Sequence, residues 1–302
     1  MTPHAIGPGL SAHKRAPDLS DLGAELDMIE ALGVGSIELP TYDMDIVIGA
    51  RIRRPQLDAL KRACAGRSVA LTVHGPLNIN LMDRPERLAR HMEVLKASVE
   101  VAAEVGAVNY VIHNGMYPTM SAPLVEDAYA RQREQLSIAG DFARQHGVVL
   151  CVENIFSDFD GSVHAGLPSR LAAELRRIDH PSVAATLDFS HAYLQMANTG
   201  GDFLSEVAAL APLSRHLHVH DSFGRVDDIW AFTDGERLAF GNGDLHMPVG
   251  WGSLPWSAVM ARCTFPQGTV FNIELKSRYW YAAEECLAAT RSLMAEARFA
   301  DA

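Results

Sequence analysis

Val183-Ala184-Ala185-Thr186-Leu187-Asp188-Phe189-Ser190-His191 carries an apolar run into a carboxylate, with an imidazole three residues further on. If Val183 to Leu187 is a buried strand, Asp188 stands at its carboxyl end and His191 in the loop just beyond. That is where parallel α/β barrels keep their chemistry. The pair is then a candidate metal site. The same spacing also suits a helix N-cap followed by a surface histidine. Whether other strand ends repeat the arrangement decides between the two.

Short apolar runs that read as buried parallel strands recur at 4–9, 35–39, 70–74, 109–113, 148–153, 183–188, 216–220 and 269–274. Stretches of helical character separate most of them, at 18–32, 55–65, 85–105, 125–146, 168–178, 202–210 and 255–262, and 282–296 closes the chain. In 85–105, Leu88, His91, Met92, Leu95, Val99 and Ala102 keep a helical apolar spacing, and Pro85 suits a first turn. Asp18 or Ser20 is the expected cap of the first helix, with Asp21 in its first turn. Eight strands alternating with helices predict a (β/α)8 TIM barrel as a single domain over 1–302, with a doubly wound open sheet as the alternative. One connection is out of scale: 221–268, between strands seven and eight, contains Phe223, Trp230, Phe232, Phe240, Trp251 and Trp256. Such a loop is either a functional lid or an excursion packing its aromatics on the barrel wall.

With 302 residues, 48% hydrophobic and 21% charged, the chain has material for one large core. No apolar run approaches bilayer length, and Met1-Thr2-Pro3-His4-Ala5-Ile6-Gly7 lacks the basic and apolar regions of a secretion signal. A cytoplasmic protein with no membrane contact is expected. Cys64, Cys151, Cys263 and Cys286 lie far apart inside apolar patterns, which suits buried free thiols better than zinc-binding CxxC pairs or disulfides. The net charge of −11 argues against a polyanionic partner, and three bound divalent ions would still leave the chain acidic.

The strand ends carry a biased set of residues. Strand three ends on His74, strand four on His113, strand five on Glu153-Asn154, and strand six on Asp188 with His191. Strand seven ends His218-Val219-His220-Asp221, strand eight ends on Glu274, and the long connection adds Asp244 and His246. A lone histidine at a strand end is usually a hydrogen-bonded structural group. Five histidines and four carboxylates converging on one face have no apolar explanation, because buried charges persist only when paired or metal-bound. Imidazole with carboxylate and no thiolate suits Zn²⁺, Mn²⁺ or Fe²⁺. His216, His218 and His220 share one side of a strand, and position relative to the strand end selects His218. His4, His13, His91, His146, His164 and His180 have no partners at ligand spacing and read as structural.

With these residues in hand, the chain resembles the xylose isomerase-like TIM-barrel superfamily, which includes sugar isomerases and epimerases and the endonuclease IV family. The motifs are His-x-x-x-Asn-Ile-Asn at His74, Val-Glu-Asn at Glu153, Leu-Asp-x-x-His at Asp188, His-x-x-Asp at His218 and Asp-x-His-x-x-x-Gly-x-Gly at Asp244. In the endonuclease IV family nine side chains hold three zinc ions. The resemblance implies the matching set His74, His113, Glu153, Asp188, His191, His218, Asp244, His246 and Glu274, with Glu153's counterpart bridging two metals. In the ketose epimerase branch a single metal is held by the counterparts of Glu153, Asp188, His218 and Glu274, and the two glutamates exchange protons with a substrate carbon. The larger set implies two or three divalent ions per chain, of zinc, manganese or iron.

Several ions suit phosphoester hydrolysis, since one lowers the pKa of a bridging water while its neighbours neutralise phosphate oxygens. The leading expectation is therefore hydrolysis of a phosphoester on a small, sugar-like substrate. The alternative is a mononuclear sugar or sugar-phosphate isomerase or epimerase with Glu153 and Glu274 catalytic. A third class is a binding protein that keeps closed metal sites for structure. An endonuclease IV-like action on DNA is disfavoured: the loop after His74 reads Gly75-Pro76-Leu77-Asn78 without an aromatic wedge. Pro40-Thr41-Tyr42-Asp43-Met44-Asp45 carries two acids and no base to hold phosphates. Lys276, Arg225 and Arg278 are candidates for a phosphate or carboxylate on the substrate. Trp251 and Glu38 complete the candidate substrate-binding set, Glu38 resembling an acidic residue common in the sugar-processing branch. The exposed helices of such barrels are compatible with a homodimer.

Overall fold

The structure is a computed structural model and describes residues 4–13, 16–118, 122–157 and 162–301. Eight strands close into a barrel: β1 (Ala5–Ser11), β2 (Ser36–Pro40), β3 (Ala70–His74), β4 (Asn109–His113), β5 (Val149–Glu153), β6 (Val183–Asp188), β7 (Ser214–His218) and β8 (Thr269–Ile273). They are ordered by sequence around the barrel, β8 pairs with β1, and every pair is parallel. The barrel expectation is met, and the open sheet is excluded by closure.

Parallel neighbours need crossovers, and helices supply them. They are α1 (Leu22–Ala31), α2 (Arg54–Cys64), α3 (Pro85–Glu104), α4 (Ala122–Gln145), α5 (Pro168–Ile178), α6 (Phe189–Thr199), α7 (Phe203–Leu210), α8 (Asp234–Phe240), α9 (Trp256–Arg262) and α10 (Ala283–Glu296). Proline occupies the first turn of α2, α3 and α5, where its missing N–H has no helical partner to lose. At the start of α1, Asp21 holds the N-cap position, but its carboxylate accepts from the Ala16 N–H, while Asp18 accepts from Ser20. The expected side-chain cap of that helix is therefore absent. Two helices go beyond the sequence expectation: α6, which starts directly after Asp188, and α8 in the long connection. No helix among the described residues is long and apolar enough to cross a membrane.

One apolar cluster joins barrel and helices, including Leu26 and Ile29 of α1, Leu57 and Leu60 of α2, Ile37, Val73 and Leu187 of the strands, and Leu287 of α10. Full burial of each such side chain stabilises the fold by about 1.5–3 kcal/mol. All four cysteines are free and buried, Cys64, Cys263 and Cys286 within this cluster. Parallel register then sets strand ends beside one another: Pro40 opposite His74, His113 opposite Glu153, and Asp188 opposite His218.

Asp221, three residues past β7, pins the long connection to the barrel. Its buried carboxylate accepts from the backbone N–H groups of Ser222 (2.9 Å), Gly250 (2.9 Å) and Leu254 (3.2 Å) and from the Trp256 indole (3.0 Å). At Gly252 a Cβ would lie 2.2 Å from Asp221 Oδ1, so no side chain fits there. Trp256 is buried, and Phe223 and Trp251 pack partly against the core. Trp230 and Phe232 are each 76% exposed and Phe240 also faces water, so packing on the barrel wall describes only half of these aromatics. Asp221→Ala strands at least three buried donors, at about 1–3 kcal/mol each. Urea denaturation is expected to show a loss of about 3 kcal/mol or more; a loss below about 1 kcal/mol contradicts the pinning role.

Candidate metal centre

His74, His113, Glu153, Asp188 and His218 are the last residues of β3, β4, β5, β6 and β7, and Glu274 directly follows β8. Asp244 and His246 lie between α8 and α9. His191 sits in the first turn of α6 rather than in a loop, because Asp188 ends the strand and caps the helix at once. Its Oδ1 accepts from the His191 N–H at 2.7 Å. Both readings of Asp-x-x-His therefore hold together: the cap brings the His191 ring to the rim.

Glu153 is the hub. Its Oε2 lies 3.3 Å from His74 Nε2 and 3.7 Å from His113 Nε2, and its Oε1 lies 3.1 Å from His191 Nδ1 and 3.2 Å from His218 Nδ1. His218 Nδ1 is also 3.3 Å from Glu274 Oε2 and 3.7 Å from Asp188 Oδ2. On the far side of His191, Asp244 Oδ2 stands 3.5 Å from its Nε2 and 2.6 Å from His246 Nε2. The fold thus brings all nine ligand candidates together.

The rings are aimed by their outer nitrogens. Nδ1 of His74 faces the Gly75 carbonyl oxygen at 3.1 Å, that of His191 the Asn154 oxygen at 3.1 Å, and that of His246 the Glu274 oxygen at 3.0 Å. A carbonyl only accepts, so these nitrogens carry hydrogen and Nε2 can offer a lone pair to the centre. Both Glu153 oxygens, His218 Nδ1 and Asp244 Oδ1 are buried without a hydrogen-bond partner. Nitrogen and carboxylate groups facing each other across 3–4 Å in a buried site are unfavourable unless protons on the imidazoles or cations between the groups compensate them. The nitrogen and oxygen donors, free of thiolate, fit a divalent transition metal or zinc. Among the described residues five donor groups have one ligand atom per residue within 4.8 Å of one another: Glu153, Asp188, His218 and Glu274; His74, His113 and Glu153; His191, His220, Asp244 and His246; His74, His218 and Glu274; and, below the rim, Glu38, His216 and His218.

Electrostatics follow from the same contacts. Burial alone would lower the His246 imidazole, but Asp244 pushes it up to about 9. Burial also opposes protonation of His191 and His218, yet Asp188 at the first and Glu274 with Glu153 at the second carry both well above the ordinary imidazole value. At His113 burial prevails and drives the ring down to about 4. Among the acids, burial pushes Glu274 up, whereas at Glu153 it is overcome by His218, His191 and His74, which hold that carboxyl well below the usual range.

Several supporting residues explain the motif positions. Asn154 accepts from the Asp188 N–H at 2.9 Å and donates to the Asp188 carbonyl at 2.8 Å, locking the end of β6 to β5. His246 adopts a left-handed φ of 47°, a cost of about 1 kcal/mol or more for a non-glycine residue, and such strain concentrates at functional sites.

His220, subordinate to His218 in the sequence reading, joins the third donor group. Its Nε2 lies 2.9 Å from Asp188 Oδ2 and its ring stacks on His246 with centroids 4.0 Å apart. The only sequence signal for it is its place on the same side as His218. Of the candidate substrate residues, Lys276 reaches the long connection's donor segment, its Nζ donating to the Asp244 carbonyl at 2.7 Å. Arg225 donates to the Phe240 carbonyl and Trp251 to Glu285, both within or behind the long connection, and Arg278 lies over the Tyr279 ring. Glu38 is enclosed below the rim, only 1% exposed.

No curated protein sequence matches the chain. Solved structures do. A D-tagatose 3-epimerase-like protein shares 19% identity, with 95% of this chain and 96% of that one covered at a TM-score of 0.68. The IolI protein with a bound zinc atom shares 17%, with 95% and 96% covered at 0.66. A protein from Thermus thermophilus, soaked with zinc chloride, shares 24%, with 92% and 95% covered at 0.60. At such identities the likeness is one of fold. The family described as "Xylose isomerase-like TIM barrel" matches residues 26–295, nearly the whole chain, and the protein belongs to it.

Proposed function

We propose that the protein is a divalent-metal-dependent sugar isomerase or epimerase that moves a proton at the carbon beside a carbonyl, with Glu153 and Glu274 as the proton-transfer groups. The observation that carries this reading is the unequal state of two carboxyls flanking one imidazole. His218 Nδ1 is 3.2 Å from Glu153 and 3.3 Å from Glu274. Burial pushes Glu274 up, while imidazoles hold Glu153 ionised. Carboxyls whose pKa values are driven apart make an acid and base pair. Glu153 is then the group that accepts the proton and Glu274 the one that returns it.

A bound divalent ion supplies a Lewis acid for the substrate carbonyl. The chain supplies orientation. Lys276, beside Asp244, suits an anionic group on a small substrate, and a cleft of about 310 Å³ lined by Phe156, Leu194 and Arg237 reaches Asp244 from the side. Family membership and the sugar epimerases among similar structures support the same reading.

Phosphoester hydrolysis at a multinuclear centre, the leading expectation from sequence, becomes the second reading. One observation favours it: two further donor groups at the rim, His74 with His113 and Glu153, and His191 with His220, Asp244 and His246. It ranks second because the similar structures are sugar enzymes.

Glu274→Gln is expected to slow solvent-deuterium exchange into ketoses by about 10²- to 10⁴-fold, followed by NMR; an unchanged rate contradicts the proton-transfer role. If the second reading governs, His246→Ala abolishes turnover of a phosphodiester, and a preserved rate removes that reading. Zinc binding requires His246 to lose the proton it holds below about pH 9. Affinity measured by competition should therefore rise from pH 7 to 9 with proton release, and a flat profile contradicts ligation by His246.

A further inference from the structure

We infer that Glu38 is a positioning residue that fixes the tautomer and direction of His218, so that Nδ1 rather than Nε2 serves the centre. This rests on the metal centre proposed above. Glu38 stands two residues before the end of β2, one layer beneath the rim, where its carboxylate is 1% exposed. All of its acceptor capacity is engaged from inside the barrel. Oε1 accepts from Ser11 Oγ at 3.0 Å and from Asn272 Nδ2 at 3.0 Å. Oε2 accepts from His218 Nε2 at 3.3 Å and has His216 Nε2 at 3.0 Å. A substrate hydroxyl has no route to it.

Three other histidines of the centre, His74, His191 and His246, are aimed by Nδ1 donating to a backbone carbonyl. His218 cannot use that device, because it ends β7 with its ring directed into the barrel, where the nearest acceptor below is Glu38. The ring is consequently reversed: Nε2 points down and Nδ1 points up, toward Glu153, Asp188 and Glu274. A carboxylate on the outer nitrogen of a ligating histidine both orients the ring and raises its basicity. Ser11 and Asn272 keep the carboxylate from turning, and His216 closes the layer beneath it. Glu38, on β2, thereby acts on a ligand set drawn from β5, β6, β7 and the residue after β8.

Glu38→Gln keeps the volume and removes the charge. Zinc affinity of the folded variant, measured by chelator competition, is expected to fall about 10- to 100-fold. The visible spectrum of the cobalt-substituted protein should shift as well. A merely structural role would lower the unfolding midpoint of the metal-free protein and leave the affinity and the spectrum of the folded variant unmoved, which overturns the inference. Should Glu38→Gln not fold, nitrogen-correlated NMR of the zinc-loaded wild type decides: a His218 protonated on Nε2 with Nδ1 on the metal supports the assignment, and the reverse tautomer overturns it. Failure of the wild type to bind zinc overturns the metal centre itself along with this inference.

Discussion

Both oxygens of Glu153 are buried, and each faces two imidazole nitrogens at 3.1–3.7 Å. A carboxylate taken out of water and ringed by groups that can present lone pairs is unfavourable unless protons or metal ions compensate it. The other parts of the centre extend this one constraint. His218 Nδ1 is set against three carboxylates and His191 spans Glu153 and Asp244. The strained backbone at His246 is tolerated where it brings a further nitrogen to the same cluster. The surrounding carboxylates raise the imidazoles of His191, His218 and His246, and the same nitrogen and oxygen donors suit a divalent cation.

Barrel closure makes the cluster. No segment holds more than two of the nine donor side chains, and the connections between strands are long. Parallel register converts eight separate strand ends into one rim, so residues as distant as His74 and Glu274 meet within a few ångströms. The long connection contributes two more donors only because Asp221 holds it down. Asp221 thus belongs to the architecture of the site without facing it, which accounts for its place in the His218-x-x-Asp221 motif.

Much of this is legible in the sequence because strand ends are marked twice, by the end of an apolar run and by an ionisable residue. Three features are not. Asp188 serves as strand end and helix cap together, so the helix after it, with Ser190, Gln195, Asn198 and Thr199 in a short span, reads as loop. His220 lies beyond the last residue of β7, where strand alternation no longer governs direction, and only the bend of the chain returns its ring to Asp188. The apolar run ends at Leu39, which sets Glu38 beside the expected strand end, but the strand runs on to Pro40 and the carboxylate is buried one layer below the rim. Capping geometry, chain bends and depth all depend on neighbours distant in sequence.

Crystals grown with zinc and measured at the zinc absorption edge test the central claim most directly. The account predicts an anomalous peak at ligand distance, about 2.0–2.2 Å, from His218 Nδ1 and from carboxylate oxygens of Glu153, Asp188 and Glu274. A fully loaded crystal with no peak among those four residues would contradict it.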